Sequence, residues 1–257
     1  TPTSKGTYKF EVEATWNDAN PTAEHADAKQ VYTVVIGGVS YSFTQISAGM
    51  FRTCGITLAG GVQCWGDGNS TSNIVLFPTD VAGLETGMKM VSVGTMHVCA
   101  LADSGSVKCW GDGSNGSLGA GSSVTSSQVP VDVANLSAGV VSISSGHAHT
   151  CAVLNDGRAM CWGHNARGQL GDGTSTNRFE PVVVALNAEA TSISSASSHT
   201  CATTSTGGVK CWGLNSSGQL GDNSLTNSST PVDVIGLTDA TNVAAGGSFA
   251  CTTTTAG

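Results

Sequence analysis

The chain has 257 residues, with ten Lys plus Arg against eighteen Asp plus Glu and a formal net charge of −8. It carries no basic stripe of the kind nucleic-acid binders need, and no run of eighteen apolar residues that could form a membrane-spanning helix. With 34 glycines, 11% charged and 5% aromatic residues, the composition suits an all-β protein with many tight turns, and the length allows one or two domains.

Residues 1–44 contain no Cys and read as a unit of their own. GTYKFEVEATW (Gly6–Trp16) alternates Tyr8, Phe10, Val12 and Ala14 with Lys9, Glu11 and Glu13, the pattern of a half-buried strand. Asn17–Ala28 is a polar, Pro-containing connection, and Lys29–Gly38 predicts a second strand. The motifs GTYKFEVEAT and VYTVVI resemble the closing strands of bacterial immunoglobulin-like domains. That likeness implies the C-terminal strands of a β-sandwich whose remainder lies upstream. Two strands alone are marginal in water, so the alternative is a hairpin docked on the main domain.

Residues 45–257 are repetitive. CGITLAGGVQCWG, CALADSGSVKCWG, CAVLNDGRAMCWG and CATTSTGGVKCWG begin at Cys54, Cys99, Cys151 and Cys201, and a partial fifth copy begins at Cys251. The repeats start near 45, 90, 142, 192 and 242, a spacing that signals a propeller. Eight residues before the first Cys stand Ile46, Val91, Ile143, Ile193 and Val243, each followed by two small residues, as an innermost strand requires. If Cys151 faces Cys161, then Val153 faces Ala159 and Asn155-Asp156-Gly157 closes a three-residue hairpin. Such a loop ends in a left-handed residue, the slot held by the turn glycines Gly60, Gly105, Gly157 and Gly207.

Opposed cysteines on antiparallel strands are close enough to bond. The spacing therefore favours four cross-strand disulfides, Cys54–Cys64, Cys99–Cys109, Cys151–Cys161 and Cys201–Cys211, over buried free thiols or metal ligation, which prefers tight Cys-x2-Cys pairs. Each would contribute about 3 kcal/mol in the chain-entropy model. Cys251 is left unpaired, because its partner would stand at position 261. Trp65, Trp110, Trp162 and Trp212 recur beside the second Cys and are expected in an inter-blade core. After them come GSLG (Gly116–Gly119) and GQLG (Gly168–Gly171, Gly218–Gly221), then a Pro (Pro78, Pro130, Pro181, Pro231) opening an outer strand.

The run ISSGHAHTCAVLNDGRAMCWGHNARGQLGDG (Ile143–Gly173) resembles the repeats of the regulator of chromosome condensation family. The resemblance covers about residues 45–257 and implies a seven-bladed β-propeller. This chain would supply an open arc of about four blades plus a partial one, completed by sequence outside it or by a neighbouring chain. The first repeat departs from the pattern: it lacks GQLG and has a shortened loop, Asp67–Pro78.

Candidate chemistry is sparse. His97, His149 and His199 share a column with Arg52 and Phe249, so packing or a blade-capping hydrogen bond is favoured over ligation or catalysis. Asp67, Asp112, Asp172 and Asp222 read as turn caps rather than calcium ligands. Sequons begin at Asn69, Asn135, Asn215 and Asn227, chance matches in a Ser- and Asn-rich chain. No catalytic, cofactor-binding or metal-binding residue is assigned, and no enzyme activity is expected. Repeated disulfides point to an extracellular, cell-surface or periplasmic setting. The expected function is a recognition or structural module that binds protein partners through the loops around 66–78, 111–129, 163–180 and 213–230, with neither nucleic acid nor a membrane span involved. A secreted protein inhibitor is a variant of that reading. Nucleotide exchange or chromatin binding, which the family resemblance implies, is disfavoured by the disulfides and the acidity.

Overall fold

A computed structural model describes residues 12–16, 30–36, 38–67 and 74–255. The expected strand at Gly6–Trp16 therefore lies partly outside the described residues. The described chain is all β, arranged in five antiparallel sheets. The first contains β1 (Val12–Trp16), β2 (Gln30–Ile36), β3 (Val39–Ala48), β4 (Arg52–Thr57), β5 (Val62–Asp67) and β6 (Ile74–Asp80), in that order. Three meanders follow. They are β7 (Met88–Val93), β8 (His97–Ala102), β9 (Val107–Asp112), β10 (Ser126–Asp132); then β11 (Val140–Ser145), β12 (His149–Leu154), β13 (Ala159–Gly163), β14 (Arg178–Val183); then β15 (Ala190–Ser195), β16 (His199–Thr204), β17 (Val209–Gly213), β18 (Ser228–Asp233). The last sheet holds β19 (Ala240–Ala245) and β20 (Ala250–Thr254). Repeated four-stranded meanders packed in series are propeller blades.

Within each blade the central hairpin has a fixed register. Cys151 stands opposite Cys161 and Val153 opposite Ala159, and the Leu154 N–H donates to the Arg158 carbonyl at 2.9 Å. Gly60, Gly105, Gly157 and Gly207 close these hairpins with φ of +77°, +84°, +79° and +81°. Next to the tryptophan, the third strand slips register against the fourth at Gly66, Gly163 and Gly213. At Gly163 φ is +106°, and a Cβ there would run into the Ala148 carbonyl, so the Trp-Gly pairing is a backbone requirement. The proline-bearing strands β6, β10, β14 and β18 lie at sheet edges, where a missing N–H leaves no gap in a ladder.

Blades are joined along their first strands, β3, β7, β11, β15 and β19. The hydroxyls of Ser47, Ser92, Ser144 and Ser194 accept the N–H of Val93, Ser145, Ser195 and Ala245 in the following blade, at 2.8–3.0 Å. Close approach is possible because the neighbouring column is small. A Cβ on Gly146 would collide with the Ala196 carbonyl of the next blade and with the His149 ring.

The hydrophobic cores lie between sheets. One gathers Leu101, Val107, Leu118 and Val133 of one blade with Ile143, Ala152 and Trp162 of the next; the following blade pair repeats it with Leu170, Val184, Ile193 and Trp212. The first sheet is finished differently. β2 pairs with the first half of β3, bringing Val34, Ile36 and Phe43 into a cluster that includes Trp65. Phe43 stacks on Trp65 with ring centroids 5.6 Å apart, and lies over Gly55, where any Cβ would meet its ring. The next three repeats have Ala100, Ala152 and Ala202 at that position. Residues 44 and 45, the expected domain boundary, fall inside the continuous strand β3.

Candidate functional site

The repeat-conserving residues sit at blade interfaces. Cys54–Cys64, Cys99–Cys109, Cys151–Cys161 and Cys201–Cys211 are bonded, each with Cα atoms 4.1 Å apart, while Cys251 is free and exposed. The indole N–H of Trp162 donates to the Ser117 carbonyl at 2.9 Å, and that of Trp212 to the Gln169 carbonyl at 2.9 Å. Each tryptophan is therefore pinned to the Gly-x-Leu-Gly turn of the preceding blade. Trp110 is also buried, whereas Trp65 is only half-buried.

The histidine column spans the same interfaces. His97 Nε2 shares a hydrogen bond with Thr150 Oγ1 at 2.7 Å, and His149 Nε2 with Thr200 Oγ1 at 2.9 Å. Thr200 gives its one hydroxyl proton to the Gln169 carbonyl at 2.9 Å. It must then accept from His149, which fixes that ring as the Nε2–H tautomer. Burial, the largest influence, holds His97 neutral with a pKa of about 4, against a smaller opposing pull from Asp112. Burial likewise pushes His149 to about 3, helped by its neighbours His97, His199, His164 and His147. Both values lie below that of the unfolded chain, so the stabilising condition is the neutral ring. It is complete above about pH 6.5, and stability falls as pH drops from there toward 4 and then 3, by up to about 1.4 kcal/mol per pH unit for each ring. Urea midpoints measured between pH 7 and pH 4.5 should fall more steeply for the native chain than for His149→Gln.

The loops on one face of the third and fourth blades are built around buried asparagines that the sequence reading missed. Asn165 Nδ2 donates to Asp172 Oδ1 and to the carbonyls of Thr174 and Thr176 at 3.0–3.1 Å. Its Oδ1 accepts the Leu170 N–H at 3.0 Å, and its own N–H donates to Asn177 Oδ1 at 2.8 Å. Asn215 repeats the set with Asp222, Ser224, Thr226, Leu220 and Asn227. A signal existed: Asn165/Asn177 and Asn215/Asn227 recur at identical offsets around GQLGD. The second blade has Gly113 at the equivalent place. Asp172 also carries Arg178 at 2.7 Å. Burial would raise its pKa, but the hydrogen bonds from Thr174 and Arg178 outweigh that and the carboxyl sits below its ordinary value. Held this way, the loops expose Ala166, Arg167 and Ser175 in one blade and Ser216, Ser217 and Leu225 in the next.

Asp172 and Asp112 cap turns: Asp172 Oδ1 accepts the Thr174 N–H at 3.0 Å and Asp112 Oδ1 the Ser114 N–H at 2.7 Å. Among the described residues no group of three or more His, Cys, Asp or Glu could hold a metal ion. Of the four sequon asparagines named above, Asn215 is fully buried and inaccessible in the folded chain, Asn135 and Asn227 are exposed, and Asn69 lies outside the described residues.

Three solved structures share the fold. Human WBSCR16 is 21% identical with a TM-score of 0.71, and the chain covers 84% of its own length and 60% of that protein's. Prp20p from Saccharomyces cerevisiae, whose structure was described with its binding to Gsp1p and histones, is 17% identical with a TM-score of 0.72, at coverages of 88% and 65%. The ectodomain of the Physcomitrella patens receptor kinase CR4 is 19% identical with a TM-score of 0.56, at coverages of 88% and 58%. The chain thus spans about three fifths of the length of these relatives. No curated protein matches it by sequence. The regulator of chromosome condensation (RCC1) repeat model matches residues 104–153, 156–203 and 206–252, and a second model of the same repeat matches 140–169 and 190–219. With more than half its length matched, and with blades, tryptophan seats and turn glycines recurring in register, the chain belongs to the regulator of chromosome condensation (RCC1) repeat family.

Proposed function

We propose that this chain is a non-enzymatic recognition module of an extracellular or cell-surface protein, binding a protein partner through the loop face of its blades. The observation that carries this reading is the pair of Asn-centred loops, 164–177 and 214–227. Their backbones are locked from within while Arg167, Ser175, Ser216 and Leu225 point outward. A preordered surface loses little conformational entropy on binding, which is what a recognition loop needs. Four disulfides in successive blades support an oxidising compartment, and a receptor ectodomain of this fold is a precedent for such a setting. Inhibition of a secreted enzyme by the same loops is a variant of this reading.

Nucleotide exchange or chromatin binding is the competing assignment, since the relative Prp20p is described as binding Gsp1p and histones. A net charge of −8 weighs against direct contact with DNA, and the disulfides against a reducing compartment. Screening the purified protein against cell-surface proteins, and assaying GDP release from a small GTPase, separates the two. The expected outcome is a ligand lost on combining Arg167→Glu with Leu225→Asp, at unchanged melting temperature, and no acceleration of GDP release. Accelerated release, or a ligand indifferent to both loop substitutions, would overturn the proposal.

A further inference from the structure

Three side chains meet at the base of the third blade's loop. The Arg167 N–H donates to Gln169 Oε1 at 2.9 Å, which fixes the orientation of the buried Gln169 amide. The NH2 group is thereby turned toward His164 Nδ1, 2.9 Å away. An amide nitrogen only donates, so Nδ1 is bare and the His164 ring is the Nε2–H tautomer. The Gln169 backbone is held separately: its carbonyl accepts the Thr200 hydroxyl and the Trp212 indole N–H, both at 2.9 Å. The amide can therefore turn about its own terminal bond while the backbone stays in place.

The fourth blade repeats the glutamine contact without the histidine. The Ser217 N–H donates to Gln219 Oε1 at 2.9 Å, but Leu214 stands where His164 does, and Gln219 Nε2 is buried without a partner. In the second blade the two places hold Asp112 and Ser117. His164 is half-buried. Burial first, then His147 and Arg167, hold it below the ordinary histidine value, and each of these influences opposes a proton on the ring. Buried His149 is a further neighbour. Asp172 of the same loop is paired with Arg178 at 2.7 Å. The adjoining turns of the flanking blades, Thr95-Met96 and Ser197-Ser198, carry no charge.

We propose that His164 is a proton-operated latch on the loop 164–177, holding the loop ready for its partner at neutral pH and releasing it in acid. A proton added at Nδ1 would face the Gln169 NH2 group, donor against donor. Turning the amide over relieves the clash, because Oε1 then accepts from the charged ring, a stronger bond than the neutral one. The same turn points the NH2 group at the Arg167 N–H and lets that N–H go. The two arrangements are discrete and only the second welcomes the proton, so acid shifts the balance toward it. The latch is complete above the ordinary histidine value of about 6.5 and is lost as pH falls below it. Arg167 is exposed on the proposed binding surface, so a released loop no longer presents it preordered. His164 is thus a positioning residue that acts through Gln169. This inference rests on the protein-binding reading above for the existence of a partner, but the latch can be measured without one.

The test is a pH titration of the 15N-labelled protein, with Ser217 of the fourth blade as internal standard. The His164 ring nitrogens should show the Nε2–H tautomer at pH 7.5. Amide exchange at Arg167, taken relative to Ser217, should rise by up to about tenfold between pH 7.5 and pH 5.5, the limit for one proton over that range. His164→Leu, which copies the fourth blade, should abolish the rise, and His147→Gln should leave it in place. The proposal is overturned if Arg167 and Ser217 keep a constant ratio across the range, if the rise survives in His164→Leu, or if Nδ1 already carries the proton at pH 7.5. A ligand from the cell-surface screen should be held more weakly at pH 5.5 by the native chain and equally at both pH values by His164→Leu; equal binding by the native chain would also overturn it. If Arg167 responds as expected while the screen finds no ligand, the latch stands and the broader function falls.

Discussion

Trp212→Ala is expected to destabilise the protein by about 3–5 kcal/mol, the usual cost of truncating a fully buried large aromatic residue. Trp212 has no exposed surface, packs with Leu170, Val184 and Ile193, and ties the fourth blade to the third through the Gln169 carbonyl. Because blades contact mainly their neighbours, the loss should fall on one interface and uncouple the two sides of it. Urea unfolding followed by circular dichroism should then separate into two transitions, with new protease sensitivity in the fourth and fifth sheets. Trp65→Ala should cost less, since Trp65 is half-buried and leans on Phe43 of its own blade. Equal losses for the two would show that tryptophan burial, not the inter-blade seat, sets the effect.

The second large effect is expected at Asn165. Alanine there strands the Thr174 and Thr176 carbonyls, Asp172 and the Leu170 N–H at once. The loop can hydrate part of this set, so the cost should be about 2–4 kcal/mol rather than the full sum of the unmade bonds. Asn165→Asp should be at least as damaging at pH 7, because a carboxylate would point acceptors at Asp172 and two carbonyls. Melting temperature and amide exchange across 164–177 give the readout. Loss of protection confined to that loop, with the disulfide hairpin 151–161 unaffected, would match a side chain that holds the loop from within. A neutral Asn165→Asp would argue that the side chain faces water.

What could be read in the sequence was what repeats. The hairpin register around Cys151 and Cys161, the edge placement of Pro78, Pro130, Pro181 and Pro231, and the crowding of the first strands are all set by short-range backbone constraints, and these leave the same residue in the same column every time. Interactions that cross between blades were harder to see. The partner of His149 is Thr200, and that of Trp212 is the Gln169 carbonyl, 51 and 43 residues away. A repeat alignment shows each column but not which column faces which. The asparagine hubs were legible in principle, yet Asn in a Ser-rich loop looks like turn composition until its five partner residues are placed around it.

The disulfides decide most of the rest, because the compartment and the extracellular reading depend on them. Alkylation of the protein from its native host, denatured without reductant and mapped by mass spectrometry, tests them directly. Recovery of Cys54–Cys64, Cys99–Cys109, Cys151–Cys161 and Cys201–Cys211 as four unmodified pairs is the predicted result. Alkylation of all eight of these cysteines would contradict it and favour a reducing compartment.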